Sequence, residues 1–588
     1  MSEDYTLLRS RQDLAKKLLA LGFKIGPFEI RAGDSPAPAD LALPVFRLAK
    51  ETKQNPADLA ALVAQRIDLS DTILNSVQAV NGYLNFKFQP ELFARAVCAD
   101  YWRNPRRYGS FPLGKGKTIV IDYSSPNIAK PFSVGHLRST VIGQALYNIF
   151  SFLGYRVVGD NHLGDWGTQF GKLLCAFELW GDTQKLQEYP TRHLLELYVR
   201  FHETARNDPA LETRAREWFR RLESGDPVAR ERWQTFVRLS QTEFNRIYQL
   251  LGVCFDVTLG ESFYADRLTG VIERALKTGV ARREKPPRNP GRTPSLDEEV
   301  DSEETVVLIP LDSSGIDVPL ILQKSDGTSL YATRELATVE YRIQTWQPER
   351  ILYVVGNEQE FYFQQFNAAL KLLGITVPCI HVNFGLIRLP AGRLSTREGR
   401  VILLEDVIPE AIERAKALLA NRELTMEEKE TIARKVGIGA IKYADLSQNR
   451  RKDVVFDWNR MLALDGDSAP YLQYAYTRTC AILRKAGEFN PANADPTLLT
   501  APEEKTILMH IARFPEIILA SAENYEPHRI ANHLYRLAQD FSIFYDRIPV
   551  LKADTPQLCN SRLALVEMTG TVLKIGLALL GIEVMERM

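Results

Sequence analysis

Three residues in the stretch SSPNIAKPFSVGHLRST (Ser124 to Thr140) are suited to binding a polyphosphate. Gly135 has no Cβ, so its backbone can approach a ligand closely. His136 falls in the first turn of a predicted helix, where unpaired N–H groups and the helix dipole favour an anion. Lys130 adds a positive charge. Together they predict a site for a nucleoside triphosphate, although Gly-His taken alone is more often a turn glycine beside a capping histidine.

The elements around this stretch predict where its ligand lies. Lys117 to Tyr123 is rich in Ile and Val, which is typical of a buried parallel strand. Leu137 to Phe152 has apolar residues at helical spacing with Gly154 as its C-cap, and Tyr155 to Val158 predicts the next strand. Such a unit binds ligands at the carboxyl end of the strand and the amino end of the helix. Neither a Walker nor a GxGxxG motif is present.

The composition of the 588-residue chain is that of a globular protein of three or four domains. Its 73 basic and 73 acidic residues balance, so any polyanion site must be local. The six cysteines include no close pair, which excludes a zinc ribbon and disfavours a disulfide framework. No signal-peptide core and no apolar run of about 18 residues occurs. We therefore expect a reduced, cytoplasmic enzyme that does not bind a membrane.

The strand and helix alternation is interrupted twice. A charged, largely helical segment follows Trp180, and Arg282 to Glu304 is proline-rich and then acidic, which predicts an exposed loop. Alternation resumes with the strand VPLILQ, a helix over 332–346 and a strand over 351–355. From about Met426 nearly every segment predicts helix, ending with one over 562–580.

Several motifs in order resemble the class I aminoacyl-tRNA synthetases and, within them, the arginyl-tRNA synthetases. They are SSPNIAKP with SVGHLRST, NHLGDWGTQFG (161–171), SDGTSLYATREL (325–336), GRLSTREGRVILLED (392–406), DSAPYLQYAYTR (467–478) and the ending GLALLGIEVMERM. The resemblance spans most of the chain, so chance agreement is negligible.

The resemblance implies an α/β multidomain protein. Its expected parts are an α+β, tRNA-binding N-terminal domain (1–110), a Rossmann-type parallel-sheet catalytic domain (111–385) split by an insertion at about 181–320, a second-signature loop with connecting helices (386–460), and an all-α anticodon-binding bundle (461–588). A basic turn with Arg103, Arg106 and Arg107 precedes the catalytic part and is more typical of a solvated boundary than of an RNA contact.

The resemblance also implies which residues contact ATP. The first class signature, His-Ile-Gly-His, corresponds to Ser133, Val134, Gly135 and His136, so a serine replaces the first histidine. The second, Lys-Met-Ser-Lys-Ser, corresponds to 393–397, with Ser395, Thr396 and Arg397 at its last three positions. Lys130 is expected to supply the charge that Thr396 lacks, and Mg²⁺ is expected on the ATP phosphates rather than on protein ligands.

Arginine binding is implied for a second set of residues. A guanidinium needs acidic partners because it stays charged and offers a planar fork of donors. The resemblance assigns this role to Asp122 and Glu335, the polar end of the amino acid to Asn127 and Gln359, and the pocket wall to Tyr331. The family usually has aspartate where Glu335 stands, and histidine is common where Tyr362 stands.

The implied reaction joins L-arginine to tRNA(Arg) through arginyl-adenylate, in a monomer that needs bound tRNA before it activates arginine. Anticodon bases can stack on tyrosines, and APYLQYAYTR offers Tyr471, Tyr474 and Tyr476. Their spacing does not put all three on one helix face, so we expect one RNA contact and two core residues. Because Ser133 replaces the first signature histidine, the alternative hypothesis is a protein that binds tRNA but does not catalyse the reaction. Another adenylylating enzyme would not explain the helical carboxyl third.

Overall fold

The computed structural model describes residues 5–32, 39–128, 130–285, 305–389, 392–393 and 402–588. Its contacts divide the chain into two compact units. The first comprises Met1–Leu113, Arg414–Tyr443 and Asn459–Met588, and the second Gly114–Glu413 and Ala444–Trp458. None of the described helices combines the length and apolarity that a membrane span requires.

The helices and strands are numbered in chain order. The helices are α1 (Thr6–Ala20), α2 (Phe46–Thr52), α3 (Pro56–Arg66), α4 (Pro90–Arg103), α5 (Val134–Phe152), α6 (Thr168–Trp180), α7 (Thr183–Glu188), α8 (Pro190–Ala205), α9 (Ala210–Glu223), α10 (Pro227–Leu251), α11 (Leu268–Lys277), α12 (Tyr331–Trp346), α13 (Glu360–Leu372), α14 (Leu404–Leu418), α15 (Met426–Leu446), α16 (Trp458–Met461), α17 (Ala469–Ala486), α18 (Pro502–Asn524), α19 (His528–Arg547) and α20 (Pro556–Leu579). The strands are β1 (Arg31–Ala32), β2 (Leu41–Pro44), β3 (Leu74–Val80), β4 (Tyr83–Phe88), β5 (Thr118–Asp122), β6 (Arg156–Asp160), β7 (Arg282–Glu284), β8 (Val306–Ile309), β9 (Leu320–Gln323), β10 (Arg350–Tyr353), β11 (Cys379–His381), β12 (Ile387–Leu389), β13 (Gly392–Arg393) and β14 (Val454–Val455).

A parallel sheet in the order β11-β10-β5-β6 forms the centre of the second unit. Its strands are short and apolar because both faces are covered, as the Ile and Val run of β5 predicted. The register places Asp122 opposite both Asp160 and Tyr353. Three polar side chains therefore end at one edge of the sheet, next to the start of α5.

Helix α5 joins β5 to β6 as predicted and is buried along most of its length. Gly154, with φ of 83°, follows its C-cap in the left-handed conformation that favours glycine. Where α5 crosses the end of β5, Gly143 lets the helix backbone approach Tyr123: a Cβ on Gly143 would lie 2.3 Å from the Tyr123 Cβ and Cγ. This close contact fixes the distance between α5 and the sheet.

Two expectations about the middle of the chain need correction. The segment predicted as a loop from Arg282 begins with β7, which pairs with β8; residues 286–304 lie outside the described residues. The predicted strand VPLILQ forms β9, but β9 pairs antiparallel with β8 in a separate three-stranded sheet and not in the parallel one. The apolar pattern predicts a strand correctly, while its partner is chosen by tertiary packing.

The first unit combines the α+β and all-α parts that the resemblance implies. An antiparallel sheet in the order β1-β2-β4-β3 contains the N-terminal strands, and α17 to α20 form the helical part. The Arg11 guanidinium lies 2.9 Å from the Glu516 carboxylate, and the Tyr108 hydroxyl donates to the Ile511 carbonyl at 3.0 Å. The last helix begins at Pro556 rather than Arg562, because Thr555 caps it by accepting from the Leu558 N–H at 3.2 Å.

Replacing Gly143 by alanine should destabilise the second unit by about 1–3 kcal/mol, because the new methyl group overlaps Tyr123 and α5 must move. Chemical denaturation followed by tryptophan fluorescence measures this loss. Gly270→Ala in α11 is the matched control, since its Cβ would meet only the flexible end of Arg274, at 3.1 Å. Equal stability of the two variants would show that the close packing of α5 on β5 is not required.

Candidate active site

The loop after β5 is held in a strained conformation by its two serines. Ser124 and Ser125 have φ of 69° and 43°, a region that non-glycine residues rarely adopt. The Ser124 hydroxyl lies 2.8 Å from the hydroxyls of both Thr140 and Tyr248. The Ser125 hydroxyl donates to Asp122 Oδ1 at 2.7 Å. The serines thus end the strand and connect its loop to α5 and α10.

The amino end of α5 presents a histidine N–H. Ser133 is the N-cap, and its backbone N–H donates to His136 Nδ1 at 3.2 Å. Because Nδ1 accepts, the neutral ring carries its proton on Nε2, which can donate to a ligand. Burial, and next the nearby Lys130 cation, lower the pKa of His136 to about 4. The ring is therefore neutral near pH 7, while the exposed Gly135 leaves the helix end accessible.

The segment that follows the second signature is hydrogen-bonded to the start of α5. The Val134 N–H donates to the Ile402 carbonyl at 3.0 Å, and the Leu404 N–H donates to the Phe132 carbonyl at 2.8 Å. On the other side of the signature, β13 pairs with β12. Ser395, Thr396 and Arg397 lie outside the described residues. Of the described residues that flank them, Gly392 and Arg393 pair with β12, and Ile402 accepts a hydrogen bond from Val134 in the predicted first signature.

At the edge of the parallel sheet, two aspartates share one buried arginine. Arg342 of α12 donates from Nη2 to Asp122 Oδ2 at 2.6 Å and to Asp160 Oδ2 at 2.7 Å. All three side chains are almost inaccessible to solvent. With Ser125 on its other oxygen, Asp122 has a protein partner for each carboxylate oxygen. Burial raises the pKa of Asp160 to about 6, although Arg342 opposes this shift.

Glu335, one turn after the start of α12, is buried and is paired with neither Arg342 nor Arg334. Tyr331 shares a hydrogen bond with its carboxyl group, and His162 Nε2 lies 3.7 Å from its Oε1. That histidine cannot neutralise it near pH 7, because burial lowers the pKa of His162 to about 4. Burial, and next the Asp122 charge, raise the pKa of Glu335 to about 8. A carboxylate in this state gains much from a cationic ligand.

Several buried polar atoms in the same region have no hydrogen-bond partner within the described part of the protein. They include the hydroxyls of Tyr264, Tyr353 and Tyr362, Nε2 of His162, Nη1 of Arg342, Oδ1 of Asp160, and Arg334 Nε with Glu261 Oε2, which form an ion pair 2.8 Å apart. Tyr353 and Tyr362 lie close enough for the Glu335 charge to act on the pKa of both. Buried polar groups are normally paired, so such a cluster indicates a site for a polar ligand.

The predicted ligands of the amino acid's polar end lie on two loops. Asn127 pairs with Gly164, and a Cβ on Gly164 would lie 2.0 Å from Asn127 Oδ1. A side chain at Gly164 would therefore displace Asn127, so this position requires glycine. Gln359 is exposed and lies beyond the carboxyl end of β10 in a short 3₁₀ helix. Tyr331 is partly exposed, with its ring 5.2 Å from that of Tyr362.

A polar cavity of about 700 Å³ opens beside Asn127. Its lining includes Trp166, Gln169, Glu261 and Arg334. Arg334 is part of the first turn of α12, so the cavity lies next to the helix that carries Glu335.

In the first unit, the three predicted tyrosines of α17 differ in their surroundings. Tyr476 is buried, whereas Tyr471 and Tyr474 are partly exposed. The Tyr471 ring packs edge-on against Tyr535, while Tyr474 lies under the Arg478 guanidinium at 5.0 Å. Arg478 also lies 4.8 Å from the ring centre of Tyr545, so it contacts two aromatic rings.

Comparison with known proteins decides the family. Residues 104–458 match the tRNA synthetases class I (R) catalytic domain, residues 472–588 the DALR anticodon binding domain, and residues 9–88 the arginyl tRNA synthetase N terminal domain. The sequence is 43% identical to an arginine–tRNA ligase of Chloroflexus aggregans over 99% of this chain and 100% of that relative. It is 40% identical to one of Halothermothrix orenii, with 94% of each chain covered. The chain belongs to the arginyl-tRNA synthetase family.

The fold agrees with this assignment. The arginyl-tRNA synthetase structure from Thermus thermophilus superposes with a TM-score of 0.82 at 25% identity, covering 98% of this chain and 99% of that one. Membership of the arginyl-tRNA synthetase family confirms the predicted family, the multidomain fold and the predicted arginine–tRNA ligase activity. It also implies the use of ATP. The individual site residues and the domain boundaries stay predictions.

Sequence reasoning missed several residues that shape the site. Arg342 falls within a correctly predicted helix, but no motif links it to Asp122 and Asp160. Only the parallel register brings these carboxylates together. The hydroxyls of Ser124 and Ser125 are a signal that could have been used, because serines directly after a buried strand often hydrogen-bond the turn.

Proposed function

We propose that this site activates L-arginine with ATP and transfers it to the 2′-hydroxyl of the terminal adenosine of tRNA(Arg). An arginine carboxylate oxygen attacks the α-phosphorus, the bond to pyrophosphate breaks, and arginyl-adenylate forms. The hydrogen bonds from Val134 to Ile402 and from Leu404 to Phe132 carry the proposal. They join residues 402–404, which follow the proposed second signature in the sequence, to the amino end of α5, where the proposed first signature lies.

ATP would bind at the amino end of α5. His136 donates from Nε2 to a phosphate oxygen, the Gly135 backbone approaches the nucleotide, and Lys130 supplies positive charge. We assign Ser395, Thr396 and Arg397 to the departing pyrophosphate. Ser133 keeps its position as N-cap and presents a hydroxyl 3.2 Å from His136 Nδ1. Mg²⁺ would be coordinated mainly by the phosphates and water.

Arginine would place its guanidinium at Glu335. Asp122 is already occupied by Arg342 and Ser125, so its role is to shape the site together with Arg342. Of these carboxylates, Glu335 is the one with no arginine or lysine partner in the described part of the chain, and Tyr331 forms the wall beside it. Asn127 and Gln359 would hold the polar end of the amino acid, which must face the ATP site for its carboxylate to react.

Anticodon recognition would involve Tyr474 of α17. Arg478 contacts the rings of Tyr474 and Tyr545. Arg478 and Tyr545 also line a surface groove together with Lys485 and Lys552. Aromatic rings and a guanidinium plane can stack on an unpaired base, and the lysines can contact phosphate. Tyr476, which is buried, and Tyr471, which packs on Tyr535, would support the helix instead. In this proposal Tyr474 is the one RNA contact, and Tyr471 and Tyr476 are the two packing residues.

We further propose that the protein acts as a monomer in the cytoplasm. Both signatures, Asn127 and Glu335 come from one unit of one chain, so the proposed site needs no partner subunit. Its proposed substrate, tRNA, is used in that compartment.

Charging assays test the proposed function against the alternative of a tRNA-binding protein without catalysis. Purified protein with ATP, Mg²⁺ and labelled arginine should charge tRNA(Arg), and arginine-dependent pyrophosphate exchange should require tRNA. Tight tRNA binding without charging or exchange would refute the proposal and favour the alternative.

Arg478→Gln should raise the KM for tRNA while leaving kcat nearly unchanged, because a stacked base contact contributes about 1–3 kcal/mol.

The raised pKa of Glu335 predicts a pH-dependent affinity for arginine. The free protein holds the carboxyl group protonated below about pH 8, whereas a guanidinium binds the ionised form. The dissociation constant should therefore fall about tenfold per unit from pH 6 to 7 and level off above 8, with nearly one proton released at pH 7. Calorimetric titration of arginine in buffers of different ionisation enthalpy measures both the dissociation constant and the number of protons released.

The control for this experiment is Glu335→Gln. Asp160 and Glu261, whose pKa values are raised to about 6 and about 7, also titrate in this range and remain in the variant. The slope and the proton release should disappear with Glu335. An affinity that does not change between pH 6 and 8 in the unmodified protein would contradict the assignment.

A further inference from the structure

Helix α10 carries a buried tyrosine near its end, Tyr248, whose hydroxyl lies between two loops of the proposed site. The side chain of Asn161, directly after β6, donates from Nδ2 to this hydroxyl at 3.2 Å. The hydroxyl of Ser124, in the loop after β5, lies 2.8 Å from it on another side. Tyr248 therefore joins the loops that follow two neighbouring strands of the parallel sheet.

The contacts continue from Ser124 to the first turns of α5. The Ser124 hydroxyl lies 2.8 Å from the hydroxyl of Thr140, which donates to the His136 carbonyl at 2.8 Å. The side chains of Asn161, Tyr248, Ser124 and Thr140 are all buried. We call the sequence of contacts from Asn161 through these three hydroxyls to the His136 carbonyl the hydroxyl chain.

The direction of every hydrogen bond in the hydroxyl chain is determined. Each hydroxyl has one hydrogen to donate, and three of the contacts need one. The His136 carbonyl can only accept, so Thr140 donates to it; Ser124 must then donate to Thr140, and Tyr248 to Ser124. Burial raises the pKa of Tyr248, so its hydroxyl keeps its proton. Because each donor is used, removing one hydroxyl leaves a buried polar group unpaired.

The hydroxyl chain also holds the strained loop in place. Ser124 has φ of 69° and Ser125 has φ of 43°, and such conformations persist only where their surroundings hold them. The Ser125 N–H donates to Asn161 Oδ1 at 3.1 Å, while Nδ2 of the same side chain donates to Tyr248. Asn161 thus contacts both the loop and the tyrosine, and the loop leads to Asn127.

We infer that Tyr248 is a positioning residue for adenylate formation: its hydroxyl, supplied by a helix of the inserted segment, fixes the loop after β5 relative to the amino end of α5. This inference rests on the proposed function, because it assumes that these two places hold arginine and ATP. In Tyr248→Phe the ring keeps its edge-on contact with Phe132, whose centre lies 5.4 Å away, and only the hydroxyl chain is broken.

The test measures arginine-dependent pyrophosphate exchange, with tRNA present, in four full-length proteins: unmodified, Tyr248→Phe, Thr140→Val and the double variant. Tyr248→Phe should lower kcat about tenfold, because a misplacement of about 1 Å can cost about a hundredfold and the loop keeps its other contacts. The KM for tRNA should stay nearly unchanged, since the hydroxyl chain includes none of the proposed anticodon contacts.

Thr140→Val breaks the same hydroxyl chain at its other end and should lower kcat by a similar factor. The double variant should be about as slow as either single variant, because both substitutions remove one and the same connection. Two independent effects would instead multiply to about a hundredfold.

Tyr108→Phe is the matched control. It also removes a buried tyrosine hydroxyl, one that donates to the Ile511 carbonyl at 3.0 Å in the first unit. The control should lose thermal stability to a similar extent and keep its kcat. An equal fall of kcat in the control would mean that lost stability slows the reaction, and would overturn the inference. If Tyr248→Phe does not fold, Thr140→Val decides, since an unchanged kcat in that variant overturns the inference.

The outcomes separate the inference from the proposed function. An unchanged kcat in Tyr248→Phe, or a double variant slowed about a hundredfold, overturns the inference while the activity of the unmodified protein stands. No exchange and no charging by the unmodified protein overturn both. A similar loss in each single variant, with no further loss in the double variant and none in the control, supports the inference.

Discussion

The proposed site depends on the balance of charge at the carboxyl ends of the parallel strands. The register of β5 and β6 places Asp122 beside Asp160, and α12 adds Glu335 to the same buried region. Three carboxylates cannot all be ionised in a low-dielectric environment without cations. Arg342 supplies one positive charge to the two aspartates, and burial with the Asp122 charge raises the pKa of Glu335 to about 8, so Glu335 is protonated near pH 7 in the free protein. The remaining deficit of positive charge is what a guanidinium substrate would supply.

A second constraint links this edge to the nucleotide site. Helix α5 starts at the strand end, packs closely on Tyr123 through Gly143, and is hydrogen-bonded at its first residues to the segment before α14. Arg138, also on α5, donates to Asp445 at 2.8 Å from a buried position. The helix is therefore fixed along its length, which gives His136 and Gly135 a defined position relative to Asp122. Preorganised donors of this kind stabilise developing charge at little reorganisation cost.

The sequence allowed the elements to be predicted because each has a local signature. The Ile and Val run predicted β5, the helical spacing of apolar residues predicted α5, and Gly154 marked its end. Pairings over long distances had no such signature. The partner of β9, the role of Arg342 and the connection between Val134 and Ile402 follow from tertiary packing. The resemblance assigned Asp122 and Glu335 the same role, and only the position of Arg342 distinguishes them.

The most direct test of the central claim is the preference of the protein for arginine over citrulline, which has nearly the same shape but no charge. Calorimetry with both ligands on the unmodified protein and on Glu335→Gln measures it. If Glu335 receives the guanidinium, the unmodified protein strongly prefers arginine, and Glu335→Gln loses most of that preference. If Glu335→Gln keeps the full preference, another group recognises the charge and the account is wrong.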